Sequence, residues 1–115
     1  MIILCTGSRH WTNYALVEKV LLRLQPTLVI HGGAPGLDTV VGNICTAYDI
    51  EQKVFYADWS VGLGAGPKRN AQMVAHGADA YLAFHEDPLL GKGTKDCVER
   101  CERAGIPGRT IVRKL

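Results

Sequence analysis

The chain has 115 residues, enough for one domain, and its 47% hydrophobic and 21% charged residues match ordinary globular proteins. No apolar run approaches the ~18–20 residues of a membrane span, and a formal net charge of +2 is too small to gather nucleic acid by bulk electrostatics. Met1–Gly7 carries no basic leader and no separate cleavage site, so it reads as a first strand and makes a cytoplasmic setting the expectation.

The first strand is expected over 2–6, a nearly unbroken apolar run suited to a central parallel strand. Gly7-Ser8-Arg9-His10-Trp11 follows it. Gly7 permits a turn, Ser8 offers a hydroxyl, and Arg9 has the fork geometry for phosphate. Trp11 either stacks on a base or packs over the first helix. Asn13 caps that helix, whose apolar side carries Leu16, Val17, Val20, Leu21 and Leu24 and which stops before Pro26.

The second strand, 27–31, runs into His31-Gly32-Gly33-Ala34-Pro35-Gly36-Leu37-Asp38. Three glycines there allow a tight turn and a close backbone approach, and the helix behind them offers unpaired N–H groups and a positive dipole end. Such a junction binds anions, phosphate above all. His31 either touches a ligand or only holds backbone at the strand end. Asp38 suits the helix dipole in any case; it is also placed to orient the glycine loop or to accept hydrogen bonds from ribose hydroxyls. The second helix is expected from about Gly36 to Asp49.

A third strand over 52–57 leads to a long loop, 58–66, that opens with Asp58 and Trp59 and carries three glycines. A compact domain rarely keeps such a loop without using it. Pro67 fits the first position of a third helix reaching His76. Lys68 and Arg69 in its first turn oppose the dipole, which a gathered anion explains and a solvated helix end also allows; Asn70 follows them. After a fourth strand, 79–84, Gly91-Lys92-Gly93-Thr94 repeats the phosphate-loop logic, with Thr94 as cap or ligand donor of a helix over 94–104. The last strand, 109–113, has charged ends and is expected at an edge.

This alternation predicts an α/β fold: a single doubly wound Rossmann-like domain over 1–115, with a five-stranded parallel sheet in order 3-2-1-4-5 flanked by four helices. Ligands of such sheets bind beyond the carboxyl ends of the strands, where strand order reverses. Cys5, Cys45, Cys97 and Cys101 form no C-x-x-C pair and have no matching histidine spacing, so they read as small buried hydrophobes and no metal site is expected. A P-loop, a Gly-x-Gly-x-x-Gly fingerprint and a Gly-x-Ser-x-Gly elbow are all missing, which disfavours ordinary NAD dehydrogenase and elbow-hydrolase chemistry.

Five motifs occur in order: Gly7-Ser8-Arg9-x-Trp11, His31-Gly32-Gly33-Ala34-x-Gly36-x-Asp38, Ala57-Asp58-Trp59, Ala65-Gly66-Pro67-x-Arg69-Asn70-x-x-Met73, and Gly93-Thr94. Together they span almost the whole chain, which resembles the YspA/cpYpsA-related branch of the SLOG superfamily, small Rossmann-like proteins of bacteria and their phages. The resemblance implies binding of nucleotides or nucleotide-derived ligands, with NAD-derived and ADP-ribose-like molecules proposed for several members. Relatives include the LOG phosphoribohydrolases, which carry Pro-Gly-Gly-x-Gly-Thr-x-x-Glu and cleave the N-glycosidic bond of nucleoside monophosphates. Here Cys97 stands where that glutamate would be, with Asp96 one residue earlier and Glu99 two later. A carboxylate is the natural group to stabilise a ribosyl centre or activate water, so Asp38 and Asp58 become the candidates. DprA-like DNA-binding proteins are also relatives, but no aromatic-basic strand-binding stripe is present, and nucleic acid is not an expected partner.

Two functions follow as expectations. The first is a sensor or sequestering module with no separate cofactor, in which Arg9, Lys68 and Arg69 meet phosphate. The glycine loops wrap it, Asp38 or Asp58 contacts ribose, and Trp59 or Trp11 stacks on the base. The second is an N-glycosidase or phosphoribohydrolase acting on the same ligands. A chain this small covers its sheet thinly, so a homodimer or larger homo-oligomer is expected, and no membrane partner.

Overall fold

In the computed structural model, which describes residues 1–114, strands and helices alternate along the chain. The strands are β1 (Ile2–Gly7), β2 (Leu28–His31), β3 (Glu51–Val54), β4 (Ala80–His85) and β5 (Gly108–Val112). The helices are α1 (Tyr14–Arg23), α2 (Leu37–Ala47), α3 (Ala65–His76) and α4 (Gly91–Arg103). Leu115, the last residue of the expected domain, lies outside the described residues. All strand pairings are parallel and the order is β3-β2-β1-β4-β5, as the sequence predicts.

Side-chain alternation along the central strands builds a core on each face of the sheet. Ile3, Cys5, Val29, Leu82 and Phe84 face α1 and α2, meeting Val17, Leu21, Val41 and Ile44. Leu4, Ile30, Tyr81 and Ala83 face the other way, onto Met73 of α3 and Cys97, Val98 and Cys101 of α4. Each fully buried aliphatic side chain contributes about 1.5–3 kcal/mol, so two apolar layers hold the helices and leave the strand ends for other work. Trp11 belongs to the first layer. It is 1% exposed, tilts against Phe84 at 5.6 Å and donates its indole N–H to the Asn13 carbonyl. The packing alternative therefore holds for Trp11, and base stacking by it is corrected. No helix among the described residues is long and apolar enough to cross a membrane.

Three boundaries differ from expectation in ways that reach the strand ends. Helix α3 starts at Ala65, two residues before Pro67, because the proline's missing N–H falls among first-turn groups that need no intrahelical acceptor. Helix α4 starts at Gly91, so Thr94 is a buried first-turn residue and not the cap. Much of the expected 58–66 loop is structured: Asp58 caps a short 3-10 turn, Trp59–Val61, by accepting the Ser60 N–H at 3.1 Å. Strand β3 ends at Val54, although the Phe55 N–H still reaches the His31 carbonyl at 2.9 Å.

Gly36 joins the loop after β1 to the start of α2. Its φ is 80°, the Leu37 N–H donates to the Ser8 carbonyl at 2.9 Å, and a Cβ at Gly36 would strike the backbone of Ser8 and Arg9. Positive-φ strain alone costs about 1–3 kcal/mol, and the backbone overlap adds to it. Gly36→Ala is expected to lower unfolding free energy by about 2 kcal/mol or more in urea denaturation. A loss below about 0.5 kcal/mol would mean that this joint is loosely packed.

Candidate functional site

Strand order reverses between β1 and β4, and the segments leaving these two strands diverge there. The gap is a cleft of about 290 Å³ at the carboxyl edge of the sheet. Thr6–His10 form one wall, His85, Glu86 and the start of α4 another, and Ala34, Pro35, Asp38, Arg69 and Asn70 close it.

The glycine loop after β2 is closed on itself. Asp38, 8% exposed, turns its carboxylate back so that Oδ2 accepts the N–H groups of Gly32 and Ala34, each at 3.2 Å. The Gly33 N–H goes to His31 Nδ1 at 3.1 Å, which leaves His31 Nε2 protonated and donating to Gln52 Oε1 at 2.9 Å. The donors expected to cradle a phosphate are thus spent on the chain's own side chains. Both His31 nitrogens are committed as well, so His31 braces the loop from behind. No protein donor reaches Asp38 Oδ1. Burial pushes the Asp38 carboxyl up; His31, the Ala34 N–H, Arg69 and the Gly32 N–H oppose that push without cancelling it.

Arg69 and Asn70 also carry structural work. Arg69 donates through one guanidinium nitrogen to the Gly32 carbonyl at 2.7 Å, with Phe55 O at 3.4 Å, and through Nε to Asn70 Oδ1 at 3.0 Å. It therefore ties the ends of β2 and β3 together. Asn70 donates to the Gly93 carbonyl at 3.2 Å and to Asp96 Oδ2 at 3.0 Å, clasping α3 to the start of α4. Both line the cleft, but much of their hydrogen-bonding capacity is already used.

Two expected residues stand apart. Asp58 is exposed, its Oδ1 taken up by the backbone and hydroxyl of Ser60, and it lines neither the cleft nor the neighbouring cavity. Lys68 is exposed and lines neither. The residues that α3 buries are Ala65, Asn70 and Met73, and Lys68 is not among them.

The start of α4 is open toward the cleft. No side chain caps it, and its first turn holds no acidic residue. The N–H groups of Gly91, Lys92 and Gly93 lack intrahelical acceptors by position. Lys92 sits in that turn against the dipole and lines the cleft, opposite Arg9. Leu90, just before the helix, takes a left-handed φ of 68°, the kind of strain that clusters at functional sites.

A second cavity, about 540 Å³, adjoins the cleft and shares Arg9, Ala34, Pro35 and Arg69 with it. Tyr56 and Trp59 line its far side, Trp59 being 61% exposed. Gly33 adopts a φ of 65° and leaves room for the Tyr56 ring, which a Cβ there would strike.

No protein-family model matches the chain. The Gene 61 protein of Mycobacterium phage D29 is 36% identical over 118 aligned positions, which cover 91% of this chain and 91% of that protein. The chain belongs to the Gene 61 protein family.

Three residues of this Gene 61 family member bear on the site but stand outside the sequence-derived set. Tyr56 is the penultimate residue of the expected third strand, where it reads as a strand residue. Lys92 was visible only as a charge inside a glycine motif. Glu86 follows β4, and its Oε1 accepts the Ser8 hydroxyl at 2.8 Å while Ser8 Oγ accepts the His10 N–H at 3.0 Å. The Ser8 proton is therefore committed to Glu86. Burial raises the Glu86 pKa, but the Ser8 hydroxyl, its own backbone N–H, His85 and His10 together carry it below the ordinary value. No feature of the sequence marks that pairing, because Ser8 and Glu86 follow strands that become neighbours only in the sheet.

The raised Asp38 pKa fixes the sign of a pH effect. The folded state binds that proton more tightly than the unfolded chain, so stability is lost as pH rises from the ordinary value of 3.8 through the folded value. Asp38→Asn removes this contribution. Urea denaturation between about pH 4 and pH 7 should show the variant gaining on the native chain as pH rises. A constant difference across that range would mean that Asp38 ionises without penalty.

Proposed function

We propose that the chain binds a phosphorylated nucleotide or a nucleotide-derived ligand of the ADP-ribose or NAD-derived kind. It would act as a sensor or sequestering module of the YspA/cpYpsA-related branch of the SLOG superfamily. The observation that supports this most is the pair of adjoining cavities sharing Arg9 and Arg69, one polar and ending on the uncapped start of α4, the other faced by Tyr56 and Trp59. Phosphate lies against the Gly91–Gly93 N–H groups with Lys92 and Arg9, since a helix start and charge-assisted donors favour the same anion. The base stacks on Trp59 or Tyr56, and the sugar spans the region between them.

A second reading, N-glycosidic cleavage of such nucleotides, draws support from Asp38. A buried carboxyl whose pKa is pushed up by burial, with one oxygen unpaired, has the environment of a general acid. The remaining candidates lend it less. Asp58 lines neither cavity, and Cys97 is a buried thiol whose pKa is pushed up by its hydrogen bond with Cys101 and by burial. Binding is therefore the primary reading.

We take the chain to be cytoplasmic and self-associating, with Val61, Leu63 (98% exposed) and Leu89 as apolar surface to cover. A monomeric mass in light scattering would contradict self-association. Incubation with AMP, ADP-ribose and NAD, followed by chromatography and calorimetric titration, tests the ligand class. Binding with unchanged ligand is expected, and Arg9→Ala should weaken it at least about tenfold, as for loss of a charge-assisted contact. Release of free base selects the cleavage reading; neither binding nor turnover refutes both.

A further inference from the structure

Glu86 is a carboxylate held in place beside an otherwise cationic cleft without being neutralised. Ser8 fixes one of its oxygens at 2.8 Å, and the His10 N–H fixes Ser8 in turn at 3.0 Å. No protein donor reaches its other oxygen, Oε2, and the nearest basic group is His85 Nδ1 at 3.9 Å. That His85 nitrogen accepts the Asp87 N–H at 3.0 Å, so it carries no proton to give. Among the described residues no lysine or arginine pairs with Glu86, although Arg9 and Lys92 line the same cleft.

Asp38 provides an independent second case. It is more than nine-tenths buried, it lines the same cleft, and its Oδ1 also lacks a protein donor. Buried acceptors left without donors are costly and call for an explanation. A fully ionised phosphate ester cannot supply it, since it brings only acceptors and negative charge. A neutral group that donates hydrogen bonds can, and a sugar hydroxyl is the donor that travels with phosphate on a nucleotide. The Glu86 side chain is 25% exposed and lines the cleft, so its carboxylate is open to a hydroxyl from that side.

We propose that Glu86 is a specificity-determining residue that accepts a hydrogen bond from a ribose hydroxyl, so that the site prefers ribonucleotides over their deoxy counterparts. This rests on the nucleotide-binding reading above. The consequence follows from the cost of leaving such an acceptor unpaired: a site built to bond a hydroxyl rejects the analogue that lacks it more strongly than an apolar pocket rejects a methylene.

The test is calorimetric titration of the full chain with AMP, 2′-deoxy-AMP and 3′-deoxy-AMP, repeated with Glu86→Gln, all in EDTA so that no bridging cation contributes. The native chain should bind AMP at least about tenfold more tightly than one of the deoxy analogues. In Glu86→Gln that ratio should fall to within about threefold, mainly through weaker AMP binding. Equal affinities of the native chain for all three nucleotides would overturn the role of Glu86 and leave the nucleotide reading standing. So would discrimination that survives unchanged in Glu86→Gln. Failure to bind any of the three, or ADP-ribose, would remove both.

Discussion

One carboxylate folded back on its own loop sets the layout of the strand ends. Asp38 leaves the first turn of α2, reaches under the glycine loop and accepts two of its N–H groups through one oxygen. Charge-assisted hydrogen bonds contribute about 1.5–3 kcal/mol each, which offsets only part of the cost of burying the carboxyl. The α2 dipole and the nearby Arg69 act in the same direction. The loop is thereby fixed, and Arg69 can grip its Gly32 carbonyl and Phe55 at the end of β3.

That arrangement separates the glycine loop from the start of α4. The loop before α2 is satisfied from within, by Asp38 and His31, and the Ser8 carbonyl takes the Leu37 N–H. The start of α4 is left open, uncapped, with Lys92 held against its dipole. A ligand phosphate finds no free donors at the glycine loop, so the cationic end of the cleft lies across from it, between Arg9 and α4. The unpaired carboxylate oxygens of Asp38 and Glu86 then give the cleft a mixed character, with donors for an anion and acceptors for hydroxyls. A site for a fully ionised phosphate ester alone has no use for the second set.

The fold was legible because hydrophobic runs and helical periodicity are local signals. Nearly continuous apolar residues marked β1 and β2 as interior strands, and the α/β alternation led to the observed strand order. The carboxyl-end location of the cleft followed from topology. What eluded the sequence is partner choice. Asp38 and the glycines were recognised as a group, yet nothing local tells whether their N–H groups face a ligand or each other. Asn70 and Arg69 looked like ligand contacts and also serve as clasps between elements that meet only after folding. Pro67 misled by two residues about where α3 begins. Glu86 went unweighted because its partner Ser8 lies 78 residues away in the chain.

The most direct measurement is a backbone amide NMR titration of the chain with inorganic phosphate. The amides of Gly91, Lys92 and Gly93 should shift most, while those of Gly32 and Ala34, already bonded to Asp38, stay nearly in place. The largest shifts at Gly32–Ala34, with α4 unmoved, would contradict the closed glycine loop and return the anion site to α2.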